Sequence, residues 1–376
     1  MGFDLILKGG RLFDPGAGLD RVADIGFAEG KVAEIGDGLS GGPERRVEGF
    51  LVTPGLIDLH THVYWRGASL GIDPDAYCRA SAATTLVDAG SAGPGNFAGF
   101  RAHVIERAEA RILAYLHVSH AGVFAFSNRI MVGESEDIRL MDPVTAAEVA
   151  EANRDVIVGI KVRLGRHASG AQGMNPFHHA LDAAERAGMP LMVHIDEPPP
   201  SYAELCEALR PGDVLTHCFR PFPNSPLGPD GKPRREAVAA RARGVLFDIG
   251  HGKGSFAFET ARAMLAGGFP PDVISTDVHA LCIDGPAFDM QTTMSKFLAI
   301  GMGLDEVVRR STTEPARAIR RPDLGTLAPG AAGDAAVLSL EAGAFPLTDV
   351  TGETVTAGER LFVRGTVLGG RWLDAL

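Results

Sequence analysis

Leu51-Val-Thr-Pro-Gly-Leu-Ile-Asp-Leu-His60-Thr61-His62 is an almost uninterrupted apolar run that ends in two histidines one residue apart. Residues two apart on a strand face the same way, so both imidazoles can reach one metal ion from the strand's end. Four more polar residues close short, β-branched runs in the same manner: Lys161 in Val-Gly-Ile-Lys-Val, His194 in Leu-Met-Val-His, His217 in Val-Leu-Thr-His, and Asp277 in Val-Ile-Ser-Thr-Asp. A parallel barrel displays its chemistry at such strand ends.

Apolar runs recur at nearly regular spacing over residues 56–62, 84–88, 112–118, 157–162, 191–194, 214–217, 245–248 and 273–277. Helix-like segments alternate with them over 97–110, 143–152, 176–188, 202–209, 236–243 and 256–266. This pattern predicts the α/β class and a (β/α)8 TIM barrel over residues 54–324. No Gly-x-Gly-x-x-Gly follows the first run, which argues against a doubly wound open sheet. Outside the barrel the texture changes to short apolar stretches split by glycine turns, as in Leu5-Ile-Leu, Glu29-Gly30, Ala335-Ala-Val-Leu-Ser-Leu and Val367-Leu-Gly-Gly-Arg-Trp-Leu. Such runs read as β-hairpins, and residues 1–53 with 325–376 are expected to build one small β-sandwich domain from both chain ends.

The bounds agree with an enzyme acting on small molecules. A chain of 376 residues, 45% hydrophobic, has ample material for a buried core. Its formal net charge of -11 argues against nucleic acid or an anionic membrane surface as a partner. No run approaches the roughly 18 apolar residues of a membrane-spanning helix, and the start lacks a charged leader with a long apolar core. Cys78, Cys206, Cys218 and Cys282 are scattered without a Cys-x-x-Cys pair. A reducing cytoplasm is the expected compartment.

Four strand-end histidines and an aspartate on one rim are hard to account for by packing, because unpaired buried polar groups are costly and a shared cation compensates them. Lysine is scarce here, the others being Lys8, Lys31, Lys232, Lys253 and Lys296, yet Lys161 interrupts an apolar strand. An ammonium beside two cations is strongly disfavoured. Lys161 is therefore either ion-paired with an acid or modified to an anion that bridges two metals.

The order of these residues resembles the amidohydrolase superfamily, with Thr53-Pro-Gly-Leu-Ile-Asp-Leu-His-Thr-His ahead of the barrel and Gly325-Thr-Leu-Ala-Pro-Gly-Ala-Ala-Gly-Asp-Ala after it. Val87-Asp-Ala-Gly-Ser-Ala-Gly, Gly159-Ile-Lys-Val-Arg, Phe247-Asp-Ile-Gly-His-Gly and Ile274-Ser-Thr-Asp-Val-His look similar to a narrower, deacetylase-type group often labelled dihydroorotase-like. The resemblance implies two divalent ions, zinc being expected. His60, His62 and Asp277 would hold one ion, His194 and His217 the other, and a carboxylated Lys161 would bridge them. It implies hydrolysis of an acyl amide or ester of a small N-acyl or O-acyl carboxylic acid by a metal-activated hydroxide, with Asp277 as general base and then acid. Homo-oligomers are usual among such relatives.

Two other activities share the pattern. A cyclic amidohydrolase of dihydroorotase or hydantoinase type keeps the same six ligands, although dihydroorotases carry Arg two residues after the second His, where this chain has Tyr64. A mononuclear, cytosine-deaminase-like enzyme would use Glu197 of His194-Ile-Asp-Glu197, but such enzymes lack a lysine ligand. Around the metals, Arg163 lies two residues beyond Lys161, as a holder of a substrate carboxylate or as a structural ion pair. Tyr64 lines the pocket or seals it, His251 and His279 bind substrate or orient ligands, and Asn96 contacts substrate or caps a helix.

Overall fold

The computed structural model describes residues 2–221 and 223–375. Both ends of the chain enter one eight-stranded sheet. Leu5–Asp14 (β1), Leu19–Ala28 (β2) and Lys31–Gly36 (β3) form an antiparallel meander, and Glu44–Arg46 (β4) runs parallel to β1. The β2 to β3 turn has both residues left-handed, Glu29 at φ 53° and Gly30 at φ 71°, which matches the twist of a tight hairpin. The Glu29 N–H donates to Asp4 Oδ2 at 2.7 Å there.

Leu51–Pro54 (β5) joins the two ends, parallel to β1 on one side and antiparallel on the other to a strand near the C-terminus, Ala335–Thr348. Alternate residues Leu7, Ile25, Phe27, Val52, Val337 and Val367 share one buried core. The two-layer sandwich expected from the sequence is thus a single continuously hydrogen-bonded sheet. Strand β5 belongs to both its halves.

The second sheet is parallel and curled: Leu56–Thr61 (β6), Ala83–Ala89 (β7), Arg111–His117 (β8), Ile157–Leu164 (β9), Leu191–Ile195 (β10), Val214–Leu215 (β11) and Leu246–Phe247 (β12), each beside the next. The outer sheet is completed by Ala335–Thr348 (β13), Thr354–Leu368 (β14) and Arg371–Leu373 (β15). A curled parallel sheet with helices between its strands is the TIM-barrel type of architecture. Seven of the eight apolar runs become strands. The last, 273–277, makes only single parallel bridges, Val273 to Asp248 on one side and Val278 to Thr61 on the other. Side chains interrupt its ladder: the Thr276 N–H donates to Asp58 Oδ1 at 3.0 Å, and Ser275 Oγ accepts from the Gly250 N–H at 2.9 Å.

Helices Pro143–Ala152, Asn175–Ala187, Tyr202–Ala208, Arg235–Ala242 and Phe258–Ala266 fall where the sequence predicts them. Asp142 caps the first through Val144 N–H, and Ser201 with Glu204 forms a reciprocal capping box on the third. The predicted helix 97–110 is instead a short α-turn, Phe97–Phe100, running into a wide π-turn, Arg101–Ile105. Arg101 is drawn sideways there by Asp155 and Asn153, so the regular ladder is not continued. No helix among the described residues is long and apolar enough to cross a membrane.

Candidate active site

Strand β6 carries Asp58 and His60, and His62 follows directly after its last residue, Thr61. Asp58, fully buried, accepts from Thr276 N–H and from the hydroxyls of Thr276 (2.5 Å) and Tyr77 (2.9 Å), tying the first barrel strand to the segment that carries Asp277. One rung up, His60 Nε2 lies 3.4 Å from Asp277 Oδ1. His62 Nε2 lies 3.3 Å from the same oxygen. These three donor atoms sit within 4.8 Å of one another, close enough to share a metal ion.

The remaining expected ligands complete a row. The His60 and His217 rings are 5.2 Å apart, and His217 and His194 are 4.6 Å apart. Each of three rings is held by its Nδ1: His60 against Thr216 Oγ1 at 2.9 Å, His62 against Ser91 Oγ at 2.8 Å, and His217 against the Gly250 carbonyl at 2.7 Å. A carbonyl only accepts, so His217 Nδ1 carries the proton and its Nε2 keeps a lone pair for a cation. Burial drives the basicity of His60 and His194 well down, and that of His217 to about 3, so these rings are neutral donors of electron pairs. Burial on its own raises the Asp277 carboxyl, but the surrounding imidazoles, His60 foremost, outweigh it and hold it well below the usual carboxylate range.

Lys161 Nζ, His194 Nε2 and Asp196 Oδ2, all of residues lining this space, are buried without a hydrogen-bond partner among the described residues, the last two lying 3.7 Å apart. Burial, partly offset by the Asp277 charge, brings the Lys161 amine down to about 7. An amine and an imidazole left without partners in a protein interior are expensive, and a divalent cation with an anionic modification of the lysine satisfies both. The donor set therefore fits metal binding. Two residues also hold left-handed backbone, His217 at φ 67° and Asp277 at φ 47°, a strain of about 1–3 kcal/mol each that functional sites retain.

Asp277 needs space behind it. An added Cβ on Gly252, which sits at φ 53°, would lie 2.3 Å from Asp277 Oδ2. Gly252→Ala is expected to lower kcat/KM by roughly 10- to 100-fold through displacement of that carboxylate. Steady-state kinetics beside a melting curve will check this, since a loss confined to stability would contradict it.

All six expected ligands, with Arg163 and His279, line one cavity of about 480 Å3. Arg163 is paired with buried Glu134 (3.1 Å), the structural alternative raised for it, and it also lines the cavity. The His279 ring is 6.0 Å from that of His62, with Nδ1 accepting from Leu281 N–H at 3.1 Å. Three other candidates are not brought there. Tyr64 stacks on Phe100 at 4.6 Å and lines a separate surface cavity. Asn96 occupies the N-cap position of Phe97–Phe100, but its side chain makes no cap hydrogen bond and instead bridges loops, accepting from Gly93 N–H and donating to the Ala121 carbonyl. His251 is buried behind the site against Lys296 Nζ at 2.7 Å. Glu197 is not among the residues lining the active cavity, although Asp196 is.

Several participants were not anticipated. Asp248, fully buried, accepts from Thr216 and Ser275 at 2.6 Å each and faces His60 Nδ1 at 3.4 Å. Its signal was an acid inside an apolar run, Leu246-Phe-Asp-Ile, as in Leu56-Ile-Asp-Leu. His117 closes the third run just as the ligands close theirs. Arg220 and Lys253, from loops, and His167, from the short helical turn Arg166–Ser169, also line the cavity and carry no periodic signal.

Comparison with known proteins agrees with this geometry. Residues 51–210 match the amidohydrolase family model. A deacetylase of Agrobacterium fabrum is 36% identical over 96% of this chain and 89% of its own length. Among solved structures, that of a dihydroorotase is 34% identical with a TM-score of 0.90, covering 98% of each chain. That of an adenine deaminase is 30% identical with a TM-score of 0.91, covering 99% of this chain and all of its own. The chain belongs to the amidohydrolase family as a hydrolase acting on carbon–nitrogen bonds.

Proposed function

We propose that the protein is a metal-dependent deacetylase-like hydrolase that cleaves the acyl amide or ester of a small N-acyl or O-acyl carboxylic acid. The observation that carries the reading is the buried, partnerless Lys161 amine in the cavity that also holds His60, His62, His194, His217 and Asp277. In this reading His60, His62 and Asp277 would hold one divalent ion and His194 and His217 a second, with a carboxylated Lys161 as their shared ligand. Zinc suits such imidazole and carboxylate donors. When bound, the ions supply a water acidified to near neutrality and polarise the scissile carbonyl.

The chain's own groups do the rest. Asp277, held ionised and beside two imidazoles, takes the proton of the attacking water and returns it to the leaving amine or alcohol. Thr216, whose own hydroxyl donates to Asp248, and the Gly250 carbonyl accept from Nδ1 of His60 and His217, leaving Nε2 with its lone pair, and Ser91 orients the His62 ring through its Nδ1. Arg163, with Arg220 on the same cavity wall, meets the substrate carboxylate and orients the acyl group. The segment 273–278 serves as the eighth barrel strand, and residues 54–324 form the catalytic barrel beside the composite domain of 1–53 and 325–376.

A cyclic amidohydrolase and a deaminase are the competing activities, and both have structural relatives here. The test is metal-reconstituted protein assayed with N-acetyl and O-acetyl carboxylic acids of both hands, dihydroorotate, a hydantoin, cytosine and adenine. Turnover of the acyl carboxylic acids, abolished by a chelator and restored by zinc, is the expected result. Turnover of only the ring substrates would overturn the reading.

A further inference from the structure

Arg163 does not stand in the cavity on its own. Both oxygens of Glu134 face its Nη1, Oε2 at 3.1 Å and Oε1 at 3.4 Å, and both side chains are buried. Oε1 also faces His117 Nε2 at 3.3 Å. The proton on that ring is located by a backbone group: the Ser119 N–H donates to His117 Nδ1 at 2.9 Å, so Nδ1 is an acceptor and the hydrogen sits on Nε2, the nitrogen that lies near Glu134 without meeting hydrogen-bond geometry. Burial raises the Glu134 carboxyl, but the Arg163 charge and His117 outweigh it and keep it below the usual carboxylate range.

The acid comes from a loop that is itself anchored. The Ser135 N–H donates to the Ala168 carbonyl at 3.0 Å, just beyond the strand that carries Lys161 and Arg163. Phe126, from the same loop, lies with its ring 4.9 Å from the Arg163 guanidinium carbon and lines the cavity. The guanidinium is thus gripped by a carboxylate and by an aromatic face, while a flat, forked donor needs a fixed plane to meet a carboxylate with two hydrogen bonds.

We propose that Glu134 and His117 are positioning residues that set the plane of Arg163 and thereby the preference of the enzyme for substrates bearing a carboxylate. The inference rests on the reading above, in which Arg163 meets that carboxylate. Glu134 touches no reacting atom; it acts through the arginine, and His117 acts through Glu134.

The experiment compares an N-acetyl amino acid with its neutral primary amide and reads the ratio of kcat/KM for the two. In Glu134→Gln the ratio is expected to fall about 10-fold or more, through a rise in KM for the charged substrate with kcat little changed. Glu134→Asp restores part of it, and His117→Asn gives a smaller loss of the same kind. A purely structural role for Glu134 would lower both activities and leave the ratio intact, which would overturn the proposal; turnover of the amide serves as the check on folding. Arg163→Ala separates the two levels. If it erases the preference while Glu134→Gln does not, the positioning role alone falls; if the native enzyme has no preference for the carboxylate, the substrate reading falls and takes this inference with it.

Discussion

Asparagine in place of Asp277 is expected to reduce kcat/KM by about 10³-fold, within the range that a positioned acid–base group contributes. The substitution is nearly isosteric, so the left-handed backbone at φ 47° and the packing against Gly252 are kept. What disappears is the anionic oxygen that faces His60 and His62 at 3.4 and 3.3 Å. The neutral amide cannot accept the proton of water and return it. It is also a weaker partner for a cation shared with two imidazoles, so some loss of bound metal accompanies the loss of rate. Kinetics at saturating zinc, with metal content measured on the same sample, distinguish the two causes. Activity above a tenth of the native value at full metal occupancy would exclude Asp277 from proton transfer.

Methionine in place of Lys161 is expected to bring bound metal from about two ions per chain to one or fewer. It should also lower kcat by roughly 10³-fold, since metal stabilisation of transition-state charge amounts to several kcal/mol and each tenfold corresponds to about 1.4 kcal/mol. Methionine has similar length and no charge. The metal-free variant is therefore expected to melt no lower than the metal-free native protein, because the amine it removes is buried without a partner. Opposite signs for metal content and metal-free stability are what a lysine kept for ligation, not for folding, produces. A variant with two ions per chain and native turnover would remove Lys161 from the centre. A variant that unfolds without metal would point instead to a structural ion pair.

Local patterns carried much of this far. His60-Thr61-His62 needed only the alternation of extended chain to place two rings on one face, and His194 and His217, at or just past the ends of their strands, needed only the rule that parallel strands of one sheet share a rim, whereas Lys161 lies inside β9, three residues before its end. Asp277 followed from the same logic, although its segment bridges its neighbours without becoming a full strand, because Asp58 and side-chain hydroxyls take up its hydrogen bonds. Tyr64 and Asn96 follow shortly after strand ends too, but they lie in loops. There the side-chain direction depends on contacts with distant residues, Phe100 for one and the Ala121 carbonyl for the other.

The strand periods and the candidate metal-ligating side chains were legible along the chain, since alternation and apolar patterning are properties of neighbours. The cavity wall around them was not. Arg220, Lys253 and Phe126 reach the cavity from separate loops, and Arg163 takes its orientation from Glu134, 29 residues earlier, and from Phe126 on the same loop as that acid. Their convergence follows from the closure of the curled sheet and from single long-range hydrogen bonds such as Ser135 to Ala168. No repeat in a linear polymer encodes which loops will face one another; packing in three dimensions settles it.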